Sequence, residues 1–491
     1  MKNNTWFLGF GRTWWPRLPG LLASVFLVMS LTSCTTRNVG PINELALDAD
    51  QSSPSLRSDL EQDDTLLIAV AFSGGGTRAA AFAYGVLTEL DTIEIRQTPR
   101  KQTVTSNIRI VSGTSGGAIL AAYFGMHGPD QFHDFRERFL LQDVESSLHT
   151  SLGSPANLGR ALRGGMNDRN RFPRWLDENL FDGATYGDLY RDHAMLVWLN
   201  ATDIHYGEPF LFTRETFAAL CSDLDTVGLA DAVAASAAFP VVFVPIEVMA
   251  FGSACEQEVP EWQTRALNDP QAPVRLRSHA RTLAAYRGYD EPTPVRLLDG
   301  GITDNIGITG LDLARASAAT PYGPLSARQV VRVENLLFIA TDAGKSAKPA
   351  WAARAGVPSL FQIGPSLANA TVAASVRKGF DALQLSLGEW REAIIHFRCG
   401  LSDEEVLELR GSLEAWDCSN VNMTVQLLSF RDLGADQQRR LDQVPTRLAL
   451  PSAKVDLLIE AGREVVRKNQ TIQQVLDRVR LPRAAAIDAL D

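Results

Sequence analysis

The apolar positions of this chain fall into short, mainly apolar runs separated by segments with helical spacing. LLIAVAF (66–72), IRIVSG (108–113), LVWLNATD (196–203), VRLLDGG (295–301) and ENLLFIATD (334–342) have the length and near-continuous hydrophobicity of strands buried on both faces. VNMTVQLLSF (421–430) predicts a later strand. Between the runs, AAAFAYGVLTEL (79–90) sets Val86, Leu87 and Leu90 on one side of a helix, and AILAAYFGM (118–126) predicts a second. Residues 366–398, with Leu383, Leu387 and Ile394 at helical spacing, and VDLLIEAGREVVRK (455–468) predict two more. Strands alternating with helices predict an α/β fold of three layers, α/β/α, around a central, mostly parallel sheet.

Polar and proline-bearing stretches divide the chain. Residues 34–65 are polar, with Pro, Ser and Asp scattered through them, and read as a flexible tether. One folded domain is expected over 66–470, with 471–491 as a tail. Residues 251–294 carry Pro260, Pro270, Pro273, Pro292 and Pro294 and read as a surface insertion. It precedes Asp299, so it is either a lid over that residue or a passive loop.

The amino terminus changes the picture. Residues 1–33 hold Lys2, Arg12 and Arg17 and no acid, and Leu21–Leu31 is mainly apolar. A basic start, a short apolar core and small residues before a cut site predict a secretory signal. The core is shorter than the roughly 20 residues of a comfortable transmembrane helix. Leu31-Thr32-Ser33 followed by Cys34 resembles the bacterial lipobox, in which the cysteine is lipidated and becomes the first mature residue. The alternative is an ordinary cleaved signal with an incidental cysteine. The lipobox reading implies a membrane anchored through Cys34 and a bacterial envelope location, with outer-membrane placement suggested because Thr35 is not aspartate. Four further cysteines remain: Cys221, Cys255, Cys399 and Cys418. An oxidising compartment permits Cys221–Cys255 and Cys399–Cys418 bridges, and four free thiols are the alternative.

Composition narrows the function classes. With 45% hydrophobic and 21% charged residues, the chain can bury a large core. The net charge of −10, nearer −13 after loss of three signal-segment cations, argues against nucleic acid as a partner. No C-x-x-C, H-E-x-x-H or calcium-loop pattern occurs, so no metal and no cofactor are expected.

Three glycine-rich strings carry the candidate chemistry, each directly after a predicted strand. In G-T-S-G-G, Gly113 and Gly117 flank Ser115 between a strand and a helix, the context in which a tight turn projects a nucleophilic hydroxyl. In G-G-G-T-R, Gly74, Gly75 and Gly76 let backbone N–H groups converge, as a tetrahedral oxyanion needs, with Thr77 and Arg78 completing the loop. D-G-G begins at Asp299, a carboxylate able to act as base. Taken singly, each string is also compatible with a plain turn. Of seven histidines only His396 follows Asp299, and its HFRC setting reads as structural. Arg78 sits in a first helical turn, where a cation is disfavoured, so it needs an anion: a substrate phosphate or a structural carboxylate.

Together these strings resemble the patatin-like phospholipase family. G-G-G-T-R matches the family's oxyanion loop, G-T-S-G-G its nucleophile elbow, and D-G-G its aspartate motif. AVAASAAFPVVFVP (232–245) resembles its A-S-x-A-x-P-x-x-F-x-P segment, and DGGITDNIG (299–307) continues as the family does. The resemblance covers roughly 66–342 and implies a patatin-like fold, a Ser–Asp dyad of Ser115 and Asp299, and a membrane lipid substrate. The insertion at 251–294 departs from plant-type members. The expectation is a membrane-anchored lipid acyl hydrolase of phospholipase A or lysophospholipase type. A carboxylesterase or thioesterase on soluble esters, and a catalytically silent lipoprotein binding module, are the alternatives.

Overall fold

A computed structural model describes residues 40–48, 65–96, 102–148, 171–191, 195–240, 242–254, 258–345 and 360–479. The expected signal segment, Cys34, Cys255 and residues 480–491 lie outside them.

The main sheet has eight strands: β1 (Leu66–Phe72), β2 (Ile108–Thr114), β3 (Leu196–Asp203), β4 (Glu208–Leu211), β5 (Ile246–Ala250), β6 (Thr293–Asp299), β7 (Asn335–Asp342) and β8 (Asn422–Ser429). Their order is β8-β7-β1-β2-β3-β6-β5, with β4 also pairing β3. Pairs β8/β7, β7/β1, β1/β2 and β2/β3 are parallel, whereas β6 runs antiparallel to both β3 and β5, and β4 antiparallel to β3. The six strands expected from sequence are present. The other two, β4 and β5, left weaker signals. EPFL is four residues with a proline, and IEVMA is a half-exposed edge strand.

Alternation along β1 shows why both faces must be covered. Leu66, Ile68, Val70 and Phe72 enter one apolar core with helices α1 (Gly76–Asp91), α2 (Gly116–Gln131) and, late in the chain, Ser452–Lys468. Leu67, Ala69 and Ala71 enter a second core, with Leu383, Leu387, Trp390 and Ile394 of the helix Leu360–Cys399. The result is a mixed, mostly parallel sheet flanked by helices, the expected α/β/α arrangement. Among the described residues no helix is long and apolar enough to cross a membrane.

Three sequence expectations change. Part of the tether is pinned: Ile42 N–H donates to Glu247 O at 2.9 Å, and the Asn43 amide both donates to Met249 O (2.9 Å) and accepts Met249 N–H (2.7 Å). Among the described residues β5 is an edge strand with no further strand beside it, and Asn43 satisfies a backbone donor and acceptor there at once. The insertion is helical: beyond α3 (Leu229–Ser236) and β5, it contains α4 (Glu261–Asn268) and α5 (Val274–Arg287). Trp262, Leu276, Leu283 and Tyr286 join the core, so the inner face of this hairpin is committed to packing. Finally, ordered structure passes residue 470, because Gln470–Val479 is a helix burying Ile472, Val475 and Leu476. Cys399 and Cys418 form a disulfide, and Cys221 is disulfide-bonded.

Candidate active site

Strand register brings the three strings together. Phe72 pairs with Gly113, Thr114 with Asn200, and Ala201 with Asp299. Four neighbouring strands therefore end their contribution at one level of the sheet. Because β6 is antiparallel to β3, its last residue comes back to face the carboxyl end of β2.

Ser115 lies between β2 and α2 with φ 54 and ψ −121, a conformation rarely adopted by a residue with a side chain. The turn is tight enough that a Cβ on Gly117 would lie 2.2 Å from Phe72 O, and one on Gly116 would lie 2.2 Å from Gly76 O. Glycine at these places is what lets the elbow nest against β1 and the loop after it. Ser115 is 8% exposed and Asp299 6%, so both are nearly withdrawn from water while a face remains open.

The Ser115 hydroxyl donates to Asp299 Oδ2 at 2.7 Å. The other carboxylate oxygen, Oδ1, accepts Gly301 N–H at 2.8 Å. Asp299 N–H donates to Ala238 O at 3.0 Å, and its carbonyl accepts the Thr202 hydroxyl at 2.9 Å, which fixes the backbone on both sides. Burial pushes the carboxyl up from its ordinary 3.8 to about 6, against the opposing pull of the Ser115 and Gly301 hydrogen bonds. A carboxylate of that basicity, aimed at a hydroxyl, is suited to general-base work near neutral pH. His396 is exposed near the end of its helix.

The glycine loop needs a correction of detail. Gly74 N–H is spent on Asn305 O at 2.9 Å, and Thr77 N–H on Arg447 O at 2.9 Å. These outer residues hold the loop in place and do not offer free amides. Gly75 and Gly76 donate to no described group, and they stand at the N-terminal end of α1, where amides lack intrahelical acceptors. Gly74 packs on the elbow, since a Cβ there would lie 3.2 Å from Ser115 Cβ. The arrangement can present two amides and the positive ends of α1 and α2 to an oxyanion formed at Ser115.

Arg78 is 4% exposed and lies beneath the loop. Its guanidinium donates to Val444 O at 3.2 Å. Burial lowers its pKa to about 10, while the charges of Asp342 and Asp442 act in the opposite sense. Of the two anions considered for Arg78, structural carboxylates are therefore present.

Several participants escaped the sequence reading. Ser236, at the end of α3, accepts Ser115 N–H at 2.9 Å and donates to Asn200 O at 2.6 Å. It lies within the 232–245 segment, which was its available signal. Asn305 lies in the stretch after D-G-G. Residues 444–447 carried no signal. Among the described residues no group of three or more His, Cys, Asp or Glu could hold a metal ion.

Residues 70–312 match the family model described as patatin-like phospholipase. Human GIVD cytosolic phospholipase A2 is a structural likeness at 11% identity and TM-score 0.39, covering 90% of this chain and 69% of that one. VipD from Legionella pneumophila is another, at 14% identity and TM-score 0.32, covering 92% and 73%. No curated protein matches the sequence.

Proposed function

From the premise that residues 70–312 are a patatin-like phospholipase domain, and the chain accordingly a lipid acyl hydrolase acting on carboxylic ester bonds, we propose that it cleaves membrane phospholipids or lysophospholipids through a Ser115–Asp299 dyad. The observation that carries this reading is the 2.7 Å hydrogen bond from the Ser115 hydroxyl to Asp299.

In this mechanism Ser115 Oγ attacks the ester carbonyl carbon as its proton passes to Asp299 Oδ2. The carbonyl oxygen becomes an oxyanion and takes hydrogen bonds from Gly75 and Gly76. Collapse breaks the bond to the alcohol oxygen, which leaves with the proton held by Asp299. Water then attacks the acyl-serine, gives its proton to Asp299, and the fatty acid departs as Ser115 recovers its proton. The Gly301 amide holds Asp299 Oδ1, so one carboxylate oxygen stays directed at the serine throughout. Ser236 occupies the nucleophile's own N–H, which leaves the glycine loop as the source of oxyanion donors.

The L-T-S-C string ending at Cys34 supports a further element: a lipid anchor that holds the enzyme at a bacterial envelope membrane, with the outer membrane as the proposed address. Two or three acyl chains on one cysteine would anchor stably, whereas a single chain holds only marginally.

The test is mass spectrometry of products after incubating purified protein with mixed phospholipid vesicles. Free fatty acid and the matching lysolipid or deacylated alcohol are expected from the parent and none from Ser115→Ala. Undiminished release by folded Ser115→Ala would refute the dyad.

A further inference from the structure

The glycine loop does not hold itself in shape. Gly75 has φ 140 and Gly76 φ 60, both open to glycine, whose backbone freedom leaves the loop's shape to be set by its neighbours. One end is tied through Gly74 N–H to Asn305 O, and the other through Thr77 N–H to Arg447 O, each at 2.9 Å. Contact on the Arg447 side is flush. A Cβ on Gly76 would lie 2.5 Å from Arg447 O and 3.4 Å from Arg447 N. Arg78, one residue further on, reaches Val444 O at 3.2 Å. Residues 444–448 thus form a strap along the back of the loop, outside the 70–312 match.

The far side of the strap is held by one carboxylate. Glu145, in the short helix Val144–Leu148, accepts Leu448 N–H at 2.9 Å and pairs with the Arg447 guanidinium at 3.0 Å. The Arg447 side chain is 60% exposed, so the ion pair contributes little by itself. The charge-assisted bond to the Leu448 amide is the stronger tie, because it fixes backbone next to the Arg447 carbonyl. Buried Val444 anchors the other end of the strap in the core.

We propose that Val444–Leu448 is a brace that sets the position of the Gly75 and Gly76 amides, and that Glu145 is a positioning residue for ester hydrolysis acting through it. The proposal rests on the serine-hydrolase reading. Glu145 itself reaches the loop through the strap, so its effect belongs to kcat and not to substrate affinity. Deleting an oxyanion donor costs on the order of 10²-fold or more, and displacing one should cost about tenfold.

The experiment uses the full chain and a chromogenic short-chain ester, with active sites counted by fluorophosphonate titration. Glu145→Ala is expected to lower kcat per titrated site about tenfold with KM within about twofold. Glu145→Gln keeps an oxygen for the Leu448 amide and should recover most of that loss, to about threefold below the parent. Arg447→Ala keeps the main-chain carbonyl and should stay within about twofold. A folded Glu145→Ala with parent-like kcat per site overturns the proposal, even if its melting temperature falls, because that pattern is structural support alone. If Glu145→Ala does not fold, Glu145→Gln decides by hydrogen exchange at the Thr77 amide. Faster exchange there supports the brace, and parent-like exchange overturns it whatever the kcat. Failure of the serine reading would appear separately, as retained hydrolysis in Ser115→Ala.

Discussion

Asp299→Asn should make the protein more stable and inactive, and the stability gain should depend on pH in a defined direction. Asparagine can keep the geometry: its oxygen can accept Gly301 N–H and its amide can face the Ser115 hydroxyl. What disappears is a buried negative charge. Burial raises the Asp299 carboxyl from 3.8 to about 6 in the folded protein, so the native state binds its proton more tightly than the unfolded chain does. Below about pH 4 the group is neutral in both states and imposes no penalty. As pH rises through about 6, the native state loses that advantage, and above it the ionised group opposes folding by about 3 kcal/mol. The substitution should therefore change stability little at pH 4 and raise it by about 3 kcal/mol at pH 8, an upper figure because the mutant amide is also desolvated. Urea denaturation of both proteins at pH 4, 5, 6, 7 and 8 measures the difference, provided the slopes agree. Hydrolysis should fall on the order of 10³-fold over the same range. A stability difference that is flat across pH, or that shrinks as pH rises, would refute the assignment of a raised, buried carboxyl.

The same group sets a kinetic expectation: kcat/KM for a soluble ester should climb with a one-proton dependence and level above about pH 6, and a flat profile between pH 5 and 7 would remove Asp299 as the base. Arg78→Ala should destabilise the fold by about 2 kcal/mol, by removing buried packing and leaving the Val444 carbonyl without its donor. It should also lower phospholipid and neutral-ester turnover in the same proportion, whereas a selective loss on phospholipid would transfer Arg78 to phosphate recognition. Cys34→Ser should release the protein from the membrane fraction and abolish labelling by radioactive fatty acid, with soluble-ester activity retained, and persistent labelling would overturn the lipobox reading.

Much of the site was legible in the chain because its chemistry is local. A buried strand that ends in G-G-G, G-T-S-G-G or D-G-G announces both a turn and the reason for it. The glycines at 116 and 117 are required by approaches of 2.2 Å to neighbouring backbone, and such approaches tolerate no Cβ. Six of the eight strands were readable: continuous burial of β1, β2, β3 and β7 leaves an apolar run that no exposed element would have, whereas β6 and β8 are partly exposed and carry shorter apolar runs. The short edge strand β4 and the half-exposed β5 left no such run, and the helical insertion was masked by its prolines, which prove to flank α4 and α5 at Pro260 and Pro273.

What the sequence by itself determined is the set of candidate groups: a serine in an elbow, a carboxylate at a strand end, and a run of flexible amides. Tertiary structure decided their use. The pairings Phe72 with Gly113, Thr114 with Asn200 and Ala201 with Asp299 turned three separate strings into one site. Hydrogen bonds to Asn305 O and Arg447 O withdrew Gly74 and Thr77 from the expected donors and left Gly75 and Gly76. Those acceptors are main-chain carbonyls contributed from far along the chain. Every residue carries such a carbonyl, so residue type gives no sign of the role, and it exists only once packing has brought the strap and the loop together.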